Sequence, residues 1–239
     1  MGKGIKRVMN KLMASVAFAT ALVAGTALVS NSASAATVLF NSLSATSGGT
    51  DTVTSNSSGS FGPLYASFST GAGTYNQLQV QLLLQGKADA GGVQVSLLSD
   101  NSTAPGSSLT TIGTISDNQL TGGLDTLSLT TSYSLVATTR YWVELSDLNL
   151  TNTSATWSWT LDYSGVGVSG EYFSNDGHTS VYKNSGGLVD GGPYQMEVSG
   201  SVSATPLPST WLMLLTGFVG FGFLAYRGTK KGSAAFAAV

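Results

Sequence analysis

Leu78-Gln79-Val80-Gln81-Leu82-Leu83-Leu84-Gln85 is the stretch on which the fold class turns. Leu78, Val80, Leu82 and Leu84 recur at every second position, with glutamines in most of the places between them. Successive side chains of an extended strand point to opposite faces, so this period collects the four apolar residues on one side. A helix would scatter them around its axis. The stretch predicts a strand of an antiparallel sheet, apolar on one face and amide-bearing on the other.

The same period recurs on both sides of it. Val93, Val95 and Leu97 alternate with Gln94 and Ser96, and Tyr194, Met196 and Val198 alternate with Gln195 and Glu197. Trp157, Trp159 and Leu161 are expected inward, with Thr156, Ser158 and Thr160 toward water. In Tyr141–Leu145, Tyr141, Val143 and Leu145 take one face and leave Trp142 and Glu144 on the other. Gly-rich and Pro-containing punctuation separates these runs, at Gly71-Ala72-Gly73, Gly91-Gly92, Pro105-Gly106, Gly122-Gly123, Asp176-Gly177 and Gly191-Gly192-Pro193. About ten strands follow, near 37–40, 62–70, 77–84, 92–98, 109–115, 124–130, 139–146, 155–163, 179–183 and 193–202. Many short strands with such turns predict an all-β protein, an antiparallel β-sandwich of jelly-roll-like kind. Residues 44–60, rich in Ser, Thr and Gly, read as a loose segment.

Composition bounds the chemistry. The chain has 239 residues, 9% of them charged, where about a quarter is usual. It has no cysteine, which removes disulfides, cysteine nucleophiles and thiolate metal sites. The single histidine, His178, leaves no His-rich zinc site and little room for a Ser-His-Asp triad. A formal charge of -2 lacks the basic footprint that nucleic acid requires.

That charge is unevenly placed. Residues 1–35 carry Lys3, Lys6, Arg7 and Lys11 and no acid, while Arg227, Lys230 and Lys231 stand alone near the C-terminus. Residues 36–205 hold all twelve acids against Lys87, Arg140 and Lys183, a net -9. Two basic, apolar ends flank an acidic, polar body.

At the N-terminus the four bases precede an apolar stretch, Leu12 to Val29, and then Ala33 and Ala35 in an A-x-A arrangement. Small residues are what signal-peptidase pockets accept, so 1–35 reads as a secretory signal peptide cleaved after Ala35. At the C-terminus, residues 211–226 are uncharged, and with 207–210 a helix here would extend roughly 30 Å, the thickness of a hydrocarbon core. Trp211 and Tyr226 lie at its ends, where amphipathic rings favour the interface, and Arg227, Lys230 and Lys231 follow as a basic stop. A single C-terminal transmembrane helix is therefore expected.

Pro206-Leu207-Pro208-Ser209-Thr210-Trp211, the Gly-containing apolar run and the terminal bases together resemble the PEP-CTERM sorting signal of Gram-negative bacteria, with Leu207 in the glutamate position as in Pro-Leu-Pro variants. The resemblance spans about 206–231 and leaves 232–239 as a short tail. It implies two processing partners, signal peptidase and an exosortase-type transpeptidase, with the membrane engaged during sorting and the body delivered to the cell surface or extracellular matrix. A Gram-positive sortase signal would need glycine where Trp211 stands, and a GPI signal lacks the basic stop. Retention as a plain anchor stays open. The body also resembles bacterial choice-of-anchor domains, through Phe68-Ser69-Thr70-Gly71, Leu78 to Leu84, Val93 to Asp100 with Pro105-Gly106, and Tyr141 to Leu145. That likeness implies a β-sandwich without an assigned activity. The organisation expected is a signal peptide at 1–35, the sandwich at 36–204, the sorting signal at 205–231 and the tail.

No catalytic residue emerges from the body, and no cofactor is expected. Glu144, Glu171 and Asp176 are carboxylates of the kind glycosidases pair, but the sequence fixes no separation between them. Asp89, Asp100, Asp117, Asp176 and Asp190 lie in predicted turns, where oxygen ligands could hold calcium, though no EF-hand spacing exists and no metal site is assigned. Trp142 beside Glu144 is the arrangement of a sugar-binding platform, and equally of a tryptophan packed under a loop. Glycosylation sequons occur at Asn56, Asn101, Asn149 and Asn152. The reading is an exported, non-enzymatic structural or adhesive protein. The alternatives are a module binding extracellular polysaccharide and, less favoured, a polysaccharide hydrolase.

Overall fold

The structure is a computed structural model and describes residues 35–54, 62–88, 90–148, 154–175, 180–184, 192–202, 214–223 and 226. The chain divides into two compact units, Ser34–Ser203 and a second made of Met1–Ala33 with Ala204–Val239.

The first unit is all-β. Its described residues form twelve strands, β1 (Ala36–Asn41), β2 (Gly49–Thr52), β3 (Leu64–Ser69), β4 (Gln77–Gln85), β5 (Gly92–Asn101), β6 (Ala104–Ser116), β7 (Leu124–Thr131), β8 (Arg140–Asp147), β9 (Thr156–Trp159), β10 (Tyr172–Ser174), β11 (Tyr182–Lys183) and β12 (Met196–Ser201). They form two six-stranded antiparallel sheets. One runs β1-β12-β4-β9-β2 with β7 also paired to β4; the other runs β11-β10-β3-β8-β5-β6.

The alternation of β4 sets the core. Leu78, Val80, Leu82 and Leu84 are completely buried while the glutamines between them are partly exposed. They share one apolar cluster with Val93, Val95 and Leu97 of β5 and Tyr141, Val143 and Leu145 of β8, so both sheets contribute to a single core. Each such side chain removed from water contributes about 1.5–3 kcal/mol. Trp157 stacks on Tyr194 with ring centroids 4.5 Å apart, and Phe173 of the opposite sheet meets Tyr194 edge-on at 6.2 Å. These aromatic contacts join the two layers.

Three expectations need correction. Residues 44–60 contain β2, which pairs with β9 from Gly49↔Trp159 to Thr52↔Thr156. Nothing in Gly49–Thr52 alternates in hydropathy, so only its partner strand makes it visible. Second, Tyr172–Ser174 form β10, between the strands expected at 155–163 and 179–183; three residues are too few to show a period. Third, β9 ends at Trp159, leaving Leu161 42% exposed, whereas Ser158 and Thr160 are buried rather than facing water. Ser158 is covered because residues 42–48 lie over it. Its Oγ is 2.7 Å from Ser47 Oγ and donates to Gln195 Oε1 at 2.6 Å. Gln195 Nε2 in turn donates to the Ala45 carbonyl at 2.7 Å. A buried hydroxyl or amide is tolerable when its hydrogen bonds are met in this way.

In the second unit, residues 214–223 are helical, with Leu215, Phe218 and Phe221 exposed. No helix among the described residues is long and apolar enough to cross a membrane. The expected span 211–226 extends past these ten residues at both ends, and 211–213, 224 and 225 lie outside the described residues. So do Ala33 and Pro206 to Thr210, together with Arg227, Lys230 and Lys231. Ala35 is described and exposed.

Candidate functional site on the outer face of the second sheet

β8 lies between β3 and β5, with Trp142 opposite Ser67 on one side and Leu98 on the other. Tyr141, Val143 and Leu145 go to the core, so Arg140, Trp142 and Glu144 stand on the outer face beside Tyr65, Ser67 and Ser69 of β3 and Ser96, Leu98 and Asp100 of β5. This is the face on which the sequence placed a candidate platform.

Trp142 does not present a ring to solvent. It is completely buried in a small cluster with Tyr65 and Leu98, against which Tyr172 and Val181 pack. Its Nε1 donates to Asp100 Oδ1 at 2.8 Å. A sugar would need the face that these residues occupy, so in this arrangement Trp142 is a second, satellite core. Glu144 accepts a hydrogen bond from the Tyr65 hydroxyl at 3.1 Å. Burial, followed by the charge and hydrogen bond of Glu144, pushes the Tyr65 hydroxyl well above its ordinary value of 10.0.

Next to it lies a network that the sequence did not reveal. Glu171, on the segment leading into β10, is buried and accepts hydrogen bonds from Ser67 Oγ at 2.5 Å, from Ser69 Oγ and from Arg140 Nε at 2.9 Å. Ser67 Oγ accepts the Tyr172 N–H at 2.8 Å. The Arg140 guanidinium lies 4.8 Å from the centre of the Tyr172 ring and 4.0 Å from Asp100. Asp100 also accepts the Thr103 N–H at 3.2 Å, in the β5–β6 hairpin whose Ser102 and Thr103 hold φ of 53° and 76°. β-branched residues rarely adopt that left-handed region, and the Asp100 contact helps hold the turn. The partial signal was compositional: Arg140 is one of only three bases in residues 36–205, so its position deserved a partner.

This constellation binds its own chain. Glu171 uses both oxygens on Ser67, Ser69 and Arg140, and Asp100 on Trp142, Arg140 and Thr103. It clamps the segment carrying β10 to the sheet. Asp117 is likewise buried and accepts from the Ser154 N–H at 2.9 Å. Among the described residues no group of three or more His, Asp or Glu could hold a metal ion. Asp89, Asp176, His178 and Asp190 lie outside the described residues, as do the sequons at Asn56, Asn149 and Asn152; Asn101 is exposed at the hairpin. No protein-family model matches the chain, and no curated protein matches it.

Proposed function

We propose that the chain is an exported, non-enzymatic structural or adhesive protein of a Gram-negative cell surface or extracellular matrix. In this reading signal peptidase removes 1–35, and an exosortase-type transpeptidase acts on Pro206 to Trp211 while 211–226 occupies the membrane and Arg227, Lys230 and Lys231 remain on the cytoplasmic side. The released body is a jelly-roll kind of sandwich. The observation that carries the proposal is the tripartite C-terminal tail of Pro-Leu-Pro-Ser-Thr-Trp, uncharged run and basic cluster in that order. An acidic body supports it, since a net -9 on residues 36–205 keeps a densely displayed domain soluble. The strand path agrees with a jelly-roll, because β3, β4 and β5, and again β6 through β10, pass repeatedly from one sheet to the other.

Intact-mass measurement of the protein recovered from its native host tests this. A mature N-terminus at Ala36 with a C-terminus between Thr205 and Trp211 is the expected result. A chain that still ends at Val239 would sink the sorting step and leave a plain anchor.

A further inference from the structure

A sheet that ends in water exposes unpaired N–H and C=O groups along its last strand, and folded proteins blunt such edges with shortness, bulges, proline, charge or a covering segment. Among the described strands, four of the five sheet edges are blunted. β2 has four residues and β11 two. β1 carries a register irregularity between Val38 and Phe40, and its Asn41 N–H is taken by the Val166 carbonyl at 2.8 Å. β6 begins with Ala104-Pro105 and slips register three times against β5. β7 has none of these devices beyond a single charge, Asp125 near its start. All eight of its residues pair with β4 in unbroken register, from Leu78↔Thr131 to Gln85↔Leu124. Every one is exposed or half-exposed, and among the described residues no backbone group of β7 has a backbone partner outside β4.

We infer that β7 is a homotypic docking edge, on which the same strand of a second copy of this chain adds in antiparallel register. The sequence of the edge is self-complementary about Ser128. Two copies related by a two-fold axis there place Ser128 against Ser128, Thr126 against Thr130 and Leu127 against Leu129. Hydroxyl meets hydroxyl on the outer face, and leucine meets leucine on the face where Leu127 and Leu129 already pack on the core. The one charge of β7, Asp125, falls opposite Thr131 and is tied back to Thr121 N–H and Oγ1 at 2.7 and 2.9 Å. From 126 to 139 there is no charge at all, so the contact sets no like charges against each other. Any other acidic strand partner would lose that match. A single added strand buries less than a standard interface, so the pair is weak, suited to a domain held at high local density. The net -9 of the body opposes it at low ionic strength, and salt favours it by screening. None of this depends on export or on processing of the tail.

Sedimentation velocity on the purified protein, from micromolar to millimolar concentration at low and at moderate salt, tests the inference. The wild type is expected to form a reversible dimer, more at the higher salt. Ser128→Lys and Ser128→Asp each put like charges across the axis and are expected to weaken dimerisation at least ten-fold, although they change net charge in opposite directions. An equimolar mixture of the two is expected to restore it, and Thr114→Lys on the bulged β6 edge to leave it unchanged. Circular dichroism checks that the variants remain folded. A wild type that stays monomeric at millimolar concentration, a Ser128→Lys variant that associates as well as wild type, or a mixture that stays monomeric each overturns the proposal.

Discussion

The outer faces of the two sheets begin from the same alternation and end differently. On the first sheet, Gln79 and Gln81 of β4 lie beside Thr130 and Ser128 of β7 and Ser199 and Glu197 of β12, and both glutamines remain partly exposed. On the second, Trp142 and Tyr65 occupy equivalent outward positions and are buried. The difference is what the chain lays over them. β10 joins the second sheet beside β3, and the segment around it supplies Tyr172, Val181 and Glu171 to the outer face. An outward position therefore says which side of a strand a residue occupies, and no more about whether water reaches it.

The contrast can be tested by mutation on each side. Trp142→Ala should be the most damaging change, because it empties a fully buried site and removes the Trp142 hydrogen bond to Asp100; a loss of about 3–5 kcal/mol is expected in urea unfolding. A loss below about 1 kcal/mol would mean that the satellite core contributes little. Tyr65→Phe should cost about 1 kcal/mol near neutral pH by removing the hydrogen bond to Glu144. It should also change the alkaline limb. The folded protein holds the Tyr65 proton above its ordinary 10.0, while the unfolded chain releases it near that value. The unfolded state then binds fewer protons, so stability falls as pH rises through about 10 and beyond. Unfolding measured between about pH 9 and 11 should be less steeply pH-dependent in Tyr65→Phe than in the wild type. An equal slope would refute the role given to Glu144 and burial. Gln81→Ala, on the open face, should shift stability by less than about 0.5 kcal/mol. A larger shift would show that this face is covered too.

Much of the fold was legible because it rests on strong local patterns. Leu78 to Leu84, Val93 to Leu97 and Tyr141 to Leu145 all put their alternate apolar residues in the core. The candidate site was not legible in the same way. Its members come from β3, β5, β8 and the segment before β10, and Ser67 and Glu171 are 104 residues apart in the chain. Ser67, Ser69 and Glu171 are individually unremarkable polar residues, and no spacing announces that they meet. Ser158 and Gln195 misled for a related reason. Their polarity pointed to water, but residues 42–48 supply hydrogen-bond partners that make burial tolerable.

By itself the sequence determined the all-β class, the inward set of the main strands and the distribution of charge between an acidic body and basic ends. These follow from the period of two and from residue identity, which are local properties. Only the tertiary structure decided that Trp142 is covered, that Glu171 answers Arg140 and that, among the described strands, β7 is the sheet edge with no blunting device but one charge. Those outcomes depend on which distant segments lie side by side, and the pairing of strands, rather than the polarity of any one residue, settles that.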